Sequence, residues 1–385
     1  MRIAIDTGGT FTDCVFVRDG RLEILKLPST PENPAWAIRN ALEEIVNGVA
    51  EGNIAPLRRK KSARKPAALD LTCGTTVGTN ALLERRGGKV VLITTAGFED
   101  VIEIGRQARP RLYDLFVTRA PALVPRKLRI GAGERIAANG RALVRLTPRE
   151  IATIARRIAS LRPDAVAVCF LFSYANPAHE RALARALRRA NFLVSVSHEI
   201  LPEFREFERT ATTVINAYLA PVMSRYLSEI ESHARRAAGH ARTQVRVMQS
   251  NGGIASARAA SREPVRTILS GPAGGILGAQ YVAQLAGFER IISFDMGGTS
   301  TDVALLQGEL RTTNESIVAE LPVAVPMLDI HTVGAGGGSL ARFDSAGALR
   351  VGPESAGADP GPICYGRGEQ PTVTDAHVIL GRIPP

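Results

Sequence analysis

A chain of 385 residues, 45% hydrophobic and 22% charged, is a folded protein too long for one ordinary core, so two domains are expected. Its longest apolar run, AVAVCFLF at 165–172, falls short of the roughly 18 residues of a membrane helix. With no charged leader before the strand-like start and four widely spaced cysteines, it reads as a cytoplasmic chain with reduced thiols, no disulfide framework and no cysteine metal cage. The net charge of +11 gathers in RRKKSARK at 58–65 and ERALARALRR at 180–189. No interleaved aromatics accompany it, so it reads as solvated surface, and no nucleic-acid partner is expected.

In chain order, apolar RIAI leads into DTGGTFTD at 6–13, and CVFV follows, giving strand, glycine turn and returning strand. RLEILKLPST continues as a third strand. The spacing of Ile38, Leu42, Ile45 and Val49 predicts a helix over 34–49, opened by Asn33 and Pro34. The basic stretch 58–65 then reads as a surface loop. Strand ALDLT, the turn CGTTVGTN with a helical second half, and strand KVVLITT come next. Thr147, Pro148 and Glu150 have the form of a capping box with proline at the first helical position, predicting a helix through Leu161. Strand DAVAVCFLF and a helix from Asn176 and Pro177 follow. Near residue 198 the pattern changes to a long helical stretch with a kink expected at Pro221. The expected domains are therefore 1–198 and 199–385. The second half gives strand QVRVMQS, a glycine-rich helix in SGPAGGILGAQYVAQLAG, and strand IISFD leading into DMGGTSTD at 295–302.

The two eight-residue phrases share six letters, and each is flanked by apolar strands. Such a turn places glycine amides and threonine hydroxyls at a hairpin tip, where they can donate hydrogen bonds to phosphate. A carboxylate at the strand end can hold hydrated magnesium or orient a water. Neither phrase is a Walker loop, since G-K-[S/T] is missing and the turn feeds a strand rather than a helix.

Paired loops of this kind resemble those of the two-lobed superfamily of actin, the sugar kinases and the heat-shock ATPases. The resemblance implies an α/β, two-lobed actin-like (ribonuclease H-like) ATPase fold with duplicated β-meander phosphate loops. More narrowly, DTGGTFTD, CGTTVGTNALLERRG, TTAGFEDVIEIGRQ, SNGG, SGPAGG, DMGGTSTD, DIHTVGAGGGS and GADPGPICYGRG resemble, in order, the hydantoinase A and 5-oxoprolinase family, which includes acetone carboxylase subunits. That implies ATP-dependent opening of a cyclic amide such as 5-oxoproline or a hydantoin, with ATP and Mg2+, a hydantoinase B-type partner subunit, and room for a homo-oligomer. GAGGGS follows the second loop too soon to be the superfamily's adenosine-binding turn, so the second lobe is expected to be incomplete. The competing readings are a kinase of the same fold, a truncated chain that only binds nucleotide or a partner, and a related carboxylase subunit.

By match to the loops, Gly8, Gly9, Thr10 and Thr12, with Gly297, Gly298, Thr299 and Thr301, are the expected phosphate contacts. Asp6 and Asp295 are the expected magnesium and water carboxylates. Asp13 and Asp302 are expected to brace the loops through backbone amides. Asp329 and His331, two apart on one expected strand, would share a face beside a flexible glycine turn and bind a second divalent metal or polarise a carbonyl, with Asp359 near the same site. Cys364 is a weaker candidate nucleophile. Thr75, Thr76 and Asn80 are candidate polar groups on the substrate side.

Overall fold

The computed structural model describes the chain except residues 9–10, 19, 31, 48–67, 108–112, 114–115, 117–120, 240–241, 358 and 385. The expected basic loop at 58–65 lies outside the described residues, as do Gly9 and Thr10.

The N-terminal meander forms as the sequence predicts: β1 (Arg2–Thr7), β2 (Phe11–Arg18) and β3 (Arg21–Pro28) are antiparallel neighbours. β4 (Ala68–Thr75) lies parallel to β1 on its other side. Alternation decides the faces: Ile3, Ile5 and Thr7 of β1 are buried while Arg2, Ala4 and Asp6 are exposed. Over the buried face lies α1 (Pro34–Asn47), whose Ile38, Ala41, Leu42 and Ile45 recur at helical spacing and join the core. Pro34 opens this helix, and the Asn33 side chain accepts from the Ala35 amide at 3.0 Å.

The sheet then takes strands from the second half of the sequence. Arg242–Met248 pairs parallel with β4, and Ile254–Ser256 pairs antiparallel beyond it, completing six strands. The long helix Glu206–Ala238 contains Pro221 without ending there, and its Val214, Ile215, Tyr226 and Ile230 belong to the same core as Ile3 and Ile5. The expected boundary at residue 198 therefore separates sequence patterns but not the sheet.

A second sheet holds four parallel strands in the order Val194–Val196, Ala165–Cys169, Val90–Thr95, Arg129–Ala132. The helix after Thr147 forms over Pro148–Leu161, and the Glu150 amide donates to Thr147 Oγ1 at 3.2 Å, which is half of the expected capping box; the Glu150 side chain instead accepts from the Gly133 amide at 3.3 Å. Farther along, the helix Ser270–Leu285 connects this body to an antiparallel sheet of Arg290–Met296, Thr301–Gln307 and His331–Val333. Ala273 and Ile276 of the helix pack with Ala304, Leu306 and Leu328 as a small separate core.

Candidate active site

Each repeated phrase forms a hairpin whose two aspartates stand directly opposite one another, Asp6 against Asp13 and Asp295 against Asp302. Residues paired this way share a face of the sheet, so each loop carries a carboxylate pair beside its turn. The turns close alike: the Gly8 amide donates to Phe11 O at 3.0 Å, and the Gly297 amide donates to Ser300 O at 2.9 Å. These two amides serve the turns themselves, which corrects the expectation that Gly8 and Gly297 donate to phosphate through them.

Thr12 and Thr301 also depart from expectation. Thr12 is fully buried, with Oγ1 3.0 Å from Ser29 Oγ, and Ser29 donates onward to Gly8 O at 2.7 Å. Thr301 is buried and donates to Ala335 O. Both hydroxyls hold the loop from behind, because each threonine precedes its aspartate by one residue and so projects from the opposite face. Gly298 and Thr299 are exposed, and their amides have no protein partner among the described residues.

The closing aspartates are braced by side chains rather than by backbone amides. Lys26, opposite Asp13 on β3, donates from Nζ to both carboxylate oxygens at 2.7 and 3.0 Å. Thr332, opposite Asp302, donates to Oδ1 at 2.6 Å. Burial raises Asp302 above the usual carboxylate range and the Asp295 charge adds to this, while the Thr332 bond opposes it.

Asp6 and Asp295 come from opposite ends of the sequence yet sense one another. Protein packed around Asp6 raises its carboxyl above the usual range, and the charges of Asp13 and Asp295 raise it further, against the pull of Lys26. The helix Ser270–Leu285 runs along both. A side-chain carbon at Gly271 would lie 3.3 Å from Asp6 Oδ1, and one at Gly275 would lie 3.9 Å from Asp295 Oδ2. Gly74 on β4 is closer still, since a Cβ there would sit 2.8 Å from Asp6 Oδ1. Ser270 fastens the helix to β4 by accepting from the Thr75 amide at 3.2 Å and donating to Thr75 O at 2.9 Å. The sequence signal for this packing was the pair of glycines four apart in SGPAGG, on one face of a helix.

The remaining candidates do not assemble as expected. Met327–Leu328 pairs with Thr312–Thr313, whereas His331–Val333 pairs with the strand after the second loop. The chain thus changes sheets between Asp329 and His331, and the shared strand face expected for them is not formed. Both are exposed. Asp359 faces Arg367 at 3.7 Å. Among the described residues no three His, Cys, Asp or Glu side chains form a group able to hold a metal. Cys364 is raised from the usual thiol range by burial and by its hydrogen bond to Asp375, the opposite of nucleophile activation. Thr76 Oγ1 donates to Thr7 O at 3.0 Å, and Asn80 Nδ2 lies 3.5 Å from Thr76 Oγ1. Thr75 is wholly buried, so these three polar groups secure the end of β4. A cleft of about 1120 Å³, lined by Phe204, Phe207, Ile215, Leu321 and Val323, contains none of the expected site residues.

Comparison with known proteins agrees with the motif order. The Hydantoinase/oxoprolinase N-terminal region family matches residues 2–191, and the Hydantoinase/oxoprolinase family matches 209–385. Caprolactamase subunit alpha of Pseudomonas jessenii is 40% identical over 99% of this chain and 54% of its own length. The crystal structure of the ATP-dependent caprolactamase from Pseudomonas jessenii matches with a TM-score of 0.82 and 39% identity, covering all of this chain and 55% of that one. The nucleotide-free structure of acetone carboxylase matches with a TM-score of 0.79 and 31% identity, again over all of this chain and 55% of that one. The chain spans about half the length of these relatives. With its mixed α/β fold and both family regions in order, this chain belongs to the hydantoinase/oxoprolinase family.

Proposed function

We propose that the chain is the nucleotide-handling part of an ATP-dependent enzyme that activates the carbonyl of a cyclic amide of the 5-oxoproline or hydantoin type. The observation that carries this reading is the pair of equivalent hairpins whose leading carboxylates, Asp6 and Asp295, act on one another electrostatically beneath one helix. Two such loops within electrostatic reach of one another suit the two-lobed actin-like ATPase arrangement, in which each lobe grips one side of a phosphate chain.

The residues fit ATP and magnesium. Asp6 and Asp295 are open to solvent and offer hard oxygen donors, and magnesium commonly takes only one or two protein carboxylates while keeping several waters. Burial raises Asp6 most and the charges of Asp13 and Asp295 add to it, and a divalent cation relieves that added repulsion. Gly298 and Thr299 supply free backbone donors to phosphate, with Gly9 and Thr10 in the equivalent positions of the first loop. Bound ATP would supply the phosphoryl group that turns the amide carbonyl into a better electrophile, with magnesium screening its charge. The chain's own part is to hold the phosphates between two turns, to present the Asp6 and Asp295 carboxylates beside them, and to orient water at a carboxylate. Asp329, His331 and Asp359 do not fit a second metal centre, and no step is assigned to one.

Caprolactamase subunit alpha is named as one subunit of its enzyme, which supports a hydantoinase B-type partner here. The likeness to acetone carboxylase favours a second reading, a carboxylase subunit that activates a substrate by the same phosphoryl transfer. Phosphate release from the natural assembly separates them. Release stimulated by 5-oxoproline or a hydantoin, with ring-opened product, supports the hydrolase. Release stimulated only by a ketone with bicarbonate supports the carboxylase. A chain that binds no nucleotide in either case would refute both.

A further inference from the structure

The glycine-rich run at 334–338 has no role in the proposed function, yet its backbone lies at hydrogen-bond distance from the second loop. The Gly337 amide donates to Gly297 O at 2.9 Å, and the Gly338 amide donates to Gly298 O at 2.7 Å. A Cβ on Gly336 would lie 2.7 Å from both Gly298 C and Gly298 O, and one on Gly338 would lie 2.9 Å from Gly298 O. No side chain fits at that separation from backbone. The run is thus a clip pressed against the loop rather than the flexible turn its composition suggests.

The clip is itself secured. Gly338 O accepts from the Ala356 amide at 2.8 Å, and Gly337 O accepts from the amide and hydroxyl of Thr374 at 2.7 and 2.8 Å. The Gly336 amide donates to Ser339 Oγ at 2.9 Å, and Ala335 O takes the Thr301 hydroxyl. Hairpin, clip and the helix Val373–Ile379, which carries Thr374, form one hydrogen-bonded stack.

Peptide planarity gives this stack a consequence. In a trans peptide the carbonyl and the following N–H point in opposite directions. The Gly297 carbonyl faces Gly337, so the Gly298 amide points away from the clip. The Gly298 carbonyl faces Gly338, so the Thr299 amide points away as well. Both amides lack protein partners among the described residues, and both residues are exposed.

Resting on the phosphate-handling role of this loop, we infer that residues 336–338 are positioning residues: by holding the carbonyls of Gly297 and Gly298 from behind, they fix two neighbouring amides as a preorganised anion donor pair. Without the clip these peptides are free to rotate, and glycine places no steric limit on that rotation.

Two measurements test this on the natural assembly, with Gly338→Ala and the milder Thr374→Val. Gly278→Ala is the control, because nothing lies within 4 Å of a Cβ there. The first is hydrogen exchange without nucleotide. The Gly298 and Thr299 amides have no bond to lose, so the reporter in peptides covering 296–301 is the Gly297 amide, held by Ser300 O; it should exchange at least about tenfold faster in Gly338→Ala and a few-fold faster in Thr374→Val. Peptides covering 6–13 should be unchanged, and the control should match the parent throughout. The second is binding of magnesium with tripolyphosphate, which reads phosphate contacts alone. Affinity should fall about tenfold in Gly338→Ala, a loss of about 1.4 kcal/mol, and about two- to fourfold in Thr374→Val. Unchanged exchange at 296–301 in both variants, or affinity within twofold in Gly338→Ala, overturns the inference. Faster exchange confined to 296–301 supports the clip even if the parent binds no tripolyphosphate, and that result would instead sink the phosphate-handling function.

Discussion

The two copies of the repeated phrase are closed by the same hydrogen bond and have opposite surroundings. In the first, Ile3 and Ile5 lead into Asp6 and are each 2% exposed, sealed in the core that α1 and the long helix share. At the same places before Asp295 stand Ile292 and Phe294, each 69% exposed. The other face behaves alike in both copies, since the aspartates and the connecting helix are together each time. The turn is therefore a local product of D-x-G-G-T-x-T-D and its own hydrogen bonds, and it forms whether or not the hairpin's other face is covered.

A charged side chain placed in each copy breaks or sharpens this comparison most strongly. Ile5→Asp buries a carboxylate in the main core and should cost about 4 kcal/mol or more by denaturant unfolding. Phe294→Asp should change stability by no more than about 0.5 kcal/mol. Similar losses at the two positions would show that the Phe294 face is covered in solution.

If the loops act as a pair despite their surroundings, the leading carboxylates should be equally necessary. Asp6→Asn and Asp295→Asn should each reduce ATP turnover by about 100-fold or more, roughly 2.7 kcal/mol of transition-state stabilisation, with melting temperatures no lower than the parent's. Turnover within tenfold of the parent in either variant would end the two-loop reading.

The connecting helix is where the copies differ in tightness. A methyl group at Gly271 would press on Asp6, 3.3 Å from Oδ1, and shift it by a few tenths of an ångström, whereas Gly275 has ordinary contact distance to Asp295. Gly275→Ala should therefore stabilise the helix by about 0.5–1 kcal/mol and leave turnover within twofold. Gly271→Ala should lower turnover about tenfold by displacing Asp6. Equal effects would mean that the helix does not sit closer to the first loop.

What the sequence showed, and what it hid, follows from the range of the forces involved. The meander, the capped helix after Thr147 and the hydrogen bonds that close both glycine hairpins rest on neighbours in sequence, and all were legible. The return of Arg242–Met248 to β4 rests on pairing between residues as far apart as Ala68 and Arg242, which no local pattern announces. Thr12 and Thr301 were assigned to phosphate by motif alone, although strand alternation already set them opposite their aspartates. The pairing of Asp329 with His331 assumed a continuous strand, and a change of sheet between them cannot be read from alternation. Glycines in GAGGGS suggested mobility because composition does not distinguish a free turn from a backbone held at contact distance.

The smallest contrast lies in the braces, and it separates charge from hydrogen bonding. Asp13 is held by Lys26 in a pair that is about half exposed, with side-chain exposures of 45% and 52%. Such pairs contribute about 0–1 kcal/mol and are screened by salt. Asp302 is held by a neutral hydroxyl at 2.6 Å, and a hydrogen bond of this kind contributes about 1 kcal/mol with little dependence on ionic strength. Lys26→Met should thus lower the melting temperature by a few degrees at low salt and by less than one degree in about 1 M sodium chloride, where the Debye length is about 3 Å. Thr332→Val should lower it by a similar few degrees in both. A salt-independent loss for Lys26→Met would mean that its stem, lying 4.8 Å from the Phe11 ring centroid at its ammonium end, stabilises the first loop by packing rather than by charge, and the two braces would then differ in geometry alone.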